Sequence, residues 1–164
     1  MNRQQAYIIA GAANFRNQKI KDFQQAHDIT AQLKRAVYES LPAARKIAKR
    51  FEATTPERTA FNVYSWIRQN FVYNRESASD QTAKTINRFL SEGFGDCKHF
   101  STFSAAIFKA LNMPVYFRVI DQTGRYNHIY TVLKYPGKEP IIIDGVFHYF
   151  NSEPIYTRKK DIKL

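Results

Sequence analysis

The sequence predicts an α+β fold, with helices in the first half of the chain and an antiparallel sheet in the second. Three observations support this prediction: helix-start signals with proline before residue 60, an apolar helical stripe that begins at Cys97, and three strand-like runs joined by short turns. With 164 residues, of which 44% are hydrophobic, the chain can form one substantial core. We therefore expect a single domain over residues 1–164, composed of a basic helical part (1–55), a core (56–150) and a basic C-terminal tail (151–164).

Helical periodicity and capping residues predict four helices, over about 28–39, 56–71, 80–92 and 97–111. Thr55 and Pro56 supply the start of the second helix, and Gly93 is suited to end the third in a left-handed conformation. Ser40, two residues before Pro42, has the same pattern as Thr55 and predicts another helix start. Residues 1–27 follow neither the helical nor the strand period well.

Three strands are predicted after the last helix, over 115–120, 128–133 and 140–144. The turns between them are short, so the strands should form an antiparallel meander with the helix that starts at Cys97 packed on one face. An ideal turn at Pro136 and Gly137 would place His128 opposite Gly145, one residue away from Asp144. A contact between His128 and Asp144 therefore needs a bulge, an odd-length loop, or an Asp144 that lies just past the strand end.

The net charge of +11 favours acidic partners, such as nucleic acid, anionic lipid or an acidic protein. No motif for stacking on bases or for reading a groove accompanies the charge, so a solvated basic surface also explains it. No apolar run is long enough to span a membrane and nothing resembles a secretion signal, so we expect a cytoplasmic protein. One cysteine also excludes an intramolecular disulfide.

The residues that point to chemistry are Cys97, His128 and Asp144, each at the end of a different predicted element. A thiol at a helix N-terminus meets unpaired backbone N–H groups and the positive end of the helix dipole, which favour the thiolate. A histidine can pair with that thiolate and later donate a proton, and a carboxylate can fix the tautomer of the histidine. A lone buried cysteine is otherwise a small hydrophobic residue, which is the alternative interpretation.

The remaining histidines and one aspartate have less specific interpretations. His99 is expected to face solvent or to support the site, His148 to pack, and His27 carries no signal. Asp96 is expected to cap the helix or restrain the loop before Cys97. One cysteine and scattered histidines give no metal-ligand spacing, so we expect no metal and no cofactor.

The chain resembles the transglutaminase-like (papain-like) cysteine hydrolase superfamily over about residues 60–150. The resemblance is carried by Gly95-Asp96-Cys97, Leu111-Asn112-Met113-Pro114-Val115, Asn127-His128-Ile129-Tyr130 and Ile143-Asp144-Gly145, and by Trp66-Ile67 and Phe71-Val72-Tyr73 upstream. It implies a papain-like fold in which Cys97 is the nucleophile, His128 the acid and base, and Asp144 the residue that orients His128. The chain departs from the family at Tyr130, where members usually have tryptophan, and at Gly145.

An acyl-transfer site of this kind also needs donors for the oxyanion. The backbone amide of Cys97 is the natural first donor. Tyr73, Trp66 and Gln69 are candidates for the second donor or for substrate binding, and Tyr130 is a further substrate-binding candidate. A packing role for Tyr73 is an equally good interpretation.

The resemblance implies an amide or peptide hydrolase that forms a thioester on Cys97 and acts on a protein or peptide substrate. A cross-linking acyltransferase would use the same residues with an amine as acceptor. A third alternative is a non-catalytic binding or assembly protein, including one associated with a phage virion, that keeps the fold and uses its basic helical half as a binding surface.

Overall fold

The structure is a computed structural model that describes residues 1–11, 16–20, 26–77, 79–124 and 126–164. Its helices in these ranges are α1 (Arg3–Ala10), α2 (Ala26–Ala48), α3 (Pro56–Asn70), α4 (Ile86–Glu92) and α5 (Cys97–Ala110). Its strands are β1 (Asn17–Lys19), β2 (Val72–Tyr73), β3 (Thr82–Lys84), β4 (Phe94–Gly95), β5 (Val115–Asp121), β6 (Tyr126–Leu133), β7 (Ile141–Ile143) and β8 (Arg158–Lys163). The predicted α+β architecture, with its helical first half and an antiparallel sheet after α5, is confirmed.

The main sheet has four antiparallel strands in the order β7-β6-β5-β8. The first three form the predicted meander. The fourth strand was not predicted: residues 158–163, in the basic C-terminal part, pair with β5, from Tyr116 opposite Lys163 to Asp121 opposite Arg158. Local periodicity could not reveal β8, since its partner lies about 40 residues earlier in the chain.

Helix α2 is longer than predicted and passes through Pro42 without ending. The Ser40 hydroxyl does not cap a new helix: it donates to the Ala36 carbonyl at 2.6 Å and accepts the Ile86 N–H at 3.0 Å. Ser40 therefore ties the middle of α2 to the start of α4. Among the described residues, no helix is long and apolar enough to cross a membrane.

The segment 80–92, predicted as one helix, contains a short strand before its helix. Residues 82–84 form β3, which pairs with β1 from Asn17 opposite Lys84 to Lys19 opposite Thr82. Helix α4 begins only at Ile86 and ends, as predicted, at Gly93 with a φ of 78°. Long-range pairing with β1, which the sequence pattern did not show, decides the conformation of this segment.

The N-terminal region contains a helix that its apolar pattern did not predict. Asn2 and Gln5 form a capping box at the start of α1, with an Asn2 Oδ1 to Gln5 N distance of 2.9 Å. The Arg3 guanidinium anchors α1 by donating to the carbonyls of Leu90 (2.8 Å) and Ser91 (2.9 Å). The expectation for His27 concerns a side chain outside the described residues.

Helix α5 forms the centre of the core, with buried residues from Lys98 to Phe108 and contacts to α2 and to the sheet. An aromatic cluster surrounds its first turns. Phe71 stacks on Phe89 with ring centroids 3.9 Å apart, and both rings contact Phe100 and Phe103 of α5. This packing fixes the start of α5 against α3 and α4, and therefore fixes the position of Cys97.

Candidate active site

Cys97 is the first residue of α5 and is partly buried. The predicted cap is present: Asp96 precedes the helix with extended backbone and forms a capping box with His99. The Asp96 N–H donates to His99 Nδ1 at 3.1 Å, so the N–H of this ring is on Nε2, which lies 3.0 Å from the Thr82 carbonyl oxygen. Unpaired amides and the positive end of the helix dipole are thus presented at the thiol.

His99 supports this turn from inside the protein. Its side chain has no exposed surface, so the solvent-facing alternative is wrong and the supporting one holds. The close fit requires glycine before Asp96, since a Cβ on Gly95 would lie 2.7 Å from His99 Nδ1. The Gly-Asp-Cys sequence is therefore explained by the packing of one imidazole under the turn.

His128 and Asp144 are in direct contact, with His128 Nε2 2.6 Å from Asp144 Oδ2. Asp144 is almost fully buried, and its other oxygen, Oδ1, accepts the backbone N–H of Val146 at 3.0 Å. One carboxylate oxygen is thus held by the loop after β7, while the other faces the imidazole. Because Asp144 engages Nε2, Nδ1 is the ring nitrogen that remains for Cys97.

The register of β6 and β7 explains how these side chains meet. Thr131 pairs with Ile143 and Leu133 with Ile141, so the connection over residues 134–140 has odd length. Continuing that register places Asp144 opposite Tyr130, on the same side of the sheet as His128. Asp144 also follows the last residue of β7. Two of the three features that could bring His128 and Asp144 together are therefore present: the odd-length connection and an Asp144 that lies just past the strand end.

A register shift also lies on the other side of β6. Ile120 pairs with His128 but Asp121 pairs with Tyr126, so one extra residue is inserted beside the histidine. Bulges of this kind bend a strand and redirect its side chains. The position of His128 is thus set on both sides of its strand, by the bulge with β5 and by the loop to β7.

The charges around His128 favour its protonated form. Burial lowers the pKa of His128, but hydrogen bonds with Asp144 and Cys97 and the charges of both groups outweigh it and raise the pKa to about 10. The imidazole is therefore held between a carboxylate and the sulfur. A group in this position can carry a proton to or from a reacting atom at Cys97.

Tyr73 is brought beside the cysteine by a small parallel sheet. Strand β2 pairs with β4, with Tyr73 opposite Gly95, and the Asn74 N–H donates to the Gly95 carbonyl at 2.8 Å. The pKa of the Tyr73 phenol is raised by burial and by the nearby charges of Cys97 and Asp96. The phenol accordingly stays protonated and can donate a hydrogen bond near the sulfur.

Three other predicted binding residues have different placements. Trp66 is partly buried, donates its Nε1–H to the Met1 carbonyl at 2.6 Å and stacks on Phe103, and its binding role stays a prediction. Tyr130, a predicted substrate-binding residue, is fully buried and donates its hydroxyl to Glu153 at 2.9 Å. Its ring lies 5.6 Å from that of His128 and backs the imidazole. Gln69 is exposed on α3, and its role stays a prediction.

The loop after Asp144 is held by α3. The Arg68 guanidinium donates to the Val146 carbonyl at 3.1 Å, and a second nitrogen lies 3.0 Å from His148 Nδ1. His148 is exposed, so the prediction that it packs in the core is wrong. Tyr64 adds a further bond, from its hydroxyl to the Phe147 carbonyl at 3.0 Å. The sequence pattern does not mark Arg68 or Tyr64 as site residues, because they bond to backbone carbonyls far along the chain.

Among the described residues, Glu76, Asp96 and His99 form a cluster whose oxygen and nitrogen atoms lie close enough to bind a metal. The cluster does not fit a metal as it stands. The Lys98 ammonium already lies against both carboxylates, 2.8 Å from Glu76 Oε2 and in contact with Asp96 Oδ2. His99 Nδ1 accepts the Asp96 N–H, so its lone pair is used.

The chain is similar to one known protein family and to several solved structures. The model of the transglutaminase-like superfamily matches residues 45–139, which include Cys97 and His128 and end before Asp144. No curated protein sequence matches the chain.

Solved structures share the fold at low sequence identity. A putative protease from Parabacteroides distasonis superposes with a TM-score of 0.60 and 11% identity, over 74% of this chain and 27% of that one. LapG of Legionella pneumophila, in an EGTA-treated form, gives a TM-score of 0.51 and 15% identity, over 92% and 74% of the two chains. A putative cysteine protease from Cytophaga hutchinsonii gives 0.50 and 17%, over 77% and 46%. The chain thus spans less than half of the Parabacteroides and Cytophaga proteins.

The family model covers more than half of the chain. The chain belongs to the transglutaminase-like superfamily.

Proposed function

We propose that the protein is a thiol-dependent amide or peptide hydrolase in which Cys97, His128 and Asp144 carry out the reaction. The observation that supports this most strongly is the 2.6 Å contact between His128 Nε2 and Asp144 Oδ2. It leaves Nδ1 of the same ring for Cys97, whose hydrogen bond and charge contribute to the raised pKa of His128. A thiol at a helix start, an imidazole beside it and a buried carboxylate behind the imidazole are the groups that thiol acyl transfer needs.

In the first half of the proposed reaction, the Cys97 thiolate attacks the substrate carbonyl carbon. The carbonyl π electrons move to oxygen, which becomes an oxyanion. Protonated His128 then gives its Nδ1 proton to the departing nitrogen, the C–N bond breaks, and a thioester remains on Cys97. Asp144 holds the imidazole orientation throughout and stabilises its positive charge before the proton leaves.

In the second half, water attacks the thioester carbonyl. Neutral His128 takes a proton from the water, the C–S bond breaks, and the Cys97 thiolate and the carboxylic acid product are released. The oxyanion in both halves would be stabilised by the backbone N–H of Cys97 and by the Tyr73 hydroxyl, which the structure brings into the same region.

The substrate would approach along β2 and β4, where apolar side chains are exposed beside the thiol. Val72 is 69% exposed, Tyr73 47% and Phe94 41%, and these residues lie on the paired strands that directly precede or flank the Cys97 turn. A peptide substrate with an apolar residue near the scissile bond would cover this surface. Two of the structures that share the fold are described as proteases, which agrees with a protein substrate.

Water and a primary amine are alternative acceptors for the thioester. The test is to incubate the protein with a mixed peptide library, with and without a primary amine, and to identify the products by mass. We expect shortened peptides or a mass increase of about 1 Da for hydrolysis of a side-chain amide, whereas amine-linked products would assign a cross-linking acyltransferase.

Two variants control this experiment. Cys97→Ala should abolish all product formation, and Asp144→Asn should lower turnover by about 10²–10⁴-fold while the fold is kept, because the imidazole loses the acceptor that fixes its tautomer. Products that persist in Cys97→Ala, or no product from any peptide with the thiol intact, would contradict the proposal. The latter result would favour the non-catalytic binding alternative.

A further inference from the structure

Lys98, the residue directly after the thiol, has almost no exposed surface. Its ammonium lies 2.8 Å from Glu76 Oε2 and in contact with Asp96 Oδ2. Glu76 belongs to the segment that follows Tyr73, and its Oε2 also accepts the Thr82 N–H at 2.7 Å. One buried cation therefore connects the helix cap before Cys97 with the chain that leaves β2.

A second buried ammonium lies close to Lys98 and its partners. Lys84, which is also buried, lies 2.8 Å from Glu92 Oε2 and 3.8 Å from Glu76 Oε1. Removal of the Lys98 ammonium alone would leave the carboxylates of Glu76 and Asp96 facing each other, with Lys84 near Glu76 and the imidazole of His99 near both. Two buried carboxylates that lose a shared cation raise each other's affinity for protons and are destabilising.

We propose that Lys98 is a positioning residue for Cys97: its ammonium neutralises Asp96 beside the thiol and holds the start of α5 against the segment that carries Tyr73. Two consequences distinguish this role from simple packing. The ammonium compensates a negative charge next to the sulfur, which otherwise opposes formation of the thiolate. It also fixes the distance between the nucleophile and the phenol proposed as its oxyanion donor.

The burial of Lys98 itself argues for such a role. A buried ion pair is a weak means of stabilising a fold, and well-packed apolar residues of similar volume are often as good or better. The ammonium is placed one residue from the thiol and joins the two segments on which the proposed chemistry depends. Lys84 offers a matched comparison, because it is equally buried but pairs with Glu92 instead of Asp96.

The test compares Lys98→Met with Lys84→Met. Thermal unfolding gives the stability of each variant, and the rate of Cys97 alkylation by iodoacetamide from pH 5 to 9 gives the reactivity of the thiol. The groups beside the thiol are the charged side chains of His128 and Asp96 and the neutral phenol of Tyr73, and of these three only Asp96 contacts Lys98 directly. Alkylation needs no substrate, so this measurement does not depend on the proposed hydrolase activity.

We expect both variants to lose stability, but only Lys98→Met to change the thiol. Its alkylation rate at pH 7 should fall about tenfold, and its pH profile should move to higher pH, because an uncompensated carboxylate opposes the thiolate. The double variant Lys98→Met/Asp96→Asn removes the ammonium together with the carboxylate that it compensates. It should recover most of the rate, because asparagine is also a good helix cap. The native protein and the variants should rank in the same order by kcat on any substrate identified, with little change in KM.

Equal alkylation profiles for Lys98→Met and the native protein would overturn the proposal, and so would an equal loss in Lys84→Met. If Lys98→Met does not fold, the double variant provides the test. A double variant that folds, but is alkylated slowly and with a pH profile moved to higher pH, would contradict the charge-compensation role. If neither variant folds, Lys98 is a structural residue and the proposal is wrong. A normal alkylation result with no turnover on any peptide would instead count against the proposed function.

Discussion

The hydroxyl of Ser101 lies 3.0 Å from the carbonyl oxygen of Ile129, and so joins the first turn of α5 to the strand residue next to His128. Ser101 is one helical turn after Cys97, whose carbonyl oxygen is 2.7 Å from the same hydroxyl. A second bond runs in the opposite direction, from the Thr131 hydroxyl to the Ser101 carbonyl at 3.1 Å. These buried bonds set the distance between the thiol and the imidazole independently of the loops around them.

Ser101→Ala should therefore reduce activity as well as stability. It leaves the buried Ile129 carbonyl without this donor, which costs about 1–3 kcal/mol in free energy of unfolding. The bond from Thr131 to the Ser101 backbone carbonyl remains, but loss of the other link should let His128 shift relative to Cys97, so kcat should fall about tenfold. Urea unfolding and kcat measurements test this.

Ser104→Ala is the matched control, because the Ser104 hydroxyl donates to Phe100 within the same helix at 2.9 Å and makes no link to the sheet. Its effect on kcat should be small. Equal effects of the two substitutions on kcat would show that the Ser101 bond to β6 does not position the site.

The sequence predicted the elements whose signals are local. Thr55 and Pro56 marked α3, Gly93 marked the end of α4, and alternating apolar residues marked β5 to β7. The misses concern segments whose conformation depends on distant partners: β3 pairs with β1, and β8 pairs with β5. The continuation of α2 through Pro42 is a third case, since Ser40 bonds to α4 instead of capping a helix.

The same distinction applies to the candidate site. The order of Cys97, His128 and Asp144 was visible in the sequence. The expected strand register also showed that the pairing of an ideal hairpin had to change by one residue for His128 and Asp144 to meet. The roles of Lys98 and Ser101 were not visible, because both look like ordinary helix residues and act through contacts with Glu76 and with β6. Only the packing of α5 against its neighbours shows them.

The raised pKa of His128 predicts a pH-dependent contribution to stability. The pKa is about 10 in the folded protein and about 6.5 in an unfolded chain. The protonated form is thus favoured by folding, so this contribution is fully present below pH ~6.5 and is lost as the pH rises through about 10. Relative to His128→Ala, the native protein should lose stability on the order of a few kcal/mol between these limits.

Urea unfolding of both proteins at intervals from pH 6 to 10 measures that difference. A Cys97→Ala background separates the part due to the thiol from the part due to Asp144, which should remain. A stability difference that is constant over this range would contradict the ion-paired state of His128.

Tyr73→Phe tests the proposed oxyanion donor. Loss of the hydroxyl should lower kcat by about 10–10³-fold with little change in KM, because the oxyanion exists only after attack on the carbonyl. The alkylation rate of Cys97 should change much less, since that reaction forms no oxyanion. Tyr38→Phe, at an exposed tyrosine of α2, is the control. If Tyr73→Phe turns over normally, the phenol has a packing or substrate-binding role only.

Gly145→Ala should disturb the site through the loop that carries Asp144. A Cβ at this position would lie 2.8 Å from Phe100 Cδ1 and 3.1 Å from Ile67 Cγ2, and both side chains are buried and cannot yield freely. The loop would have to move outward, which should destabilise the protein by about 1–3 kcal/mol and draw the Asp144 carboxylate away from His128. We expect kcat to fall by an amount approaching that of Asp144→Asn.

Gly137→Ala provides the comparison for Gly145→Ala. Gly137 has a φ of 69° in the loop between β6 and β7, with open space around it, so alanine there costs about 1 kcal/mol through backbone strain alone. The stability of Gly137→Ala should fall by an amount similar to that of Gly145→Ala. Each folded molecule should keep its turnover, because the strain lies away from the Asp144 carboxylate. Folded fraction from circular dichroism and kcat per folded molecule separate the two cases. A Gly145→Ala protein with normal kcat would show that the loop tolerates the methyl group without moving Asp144.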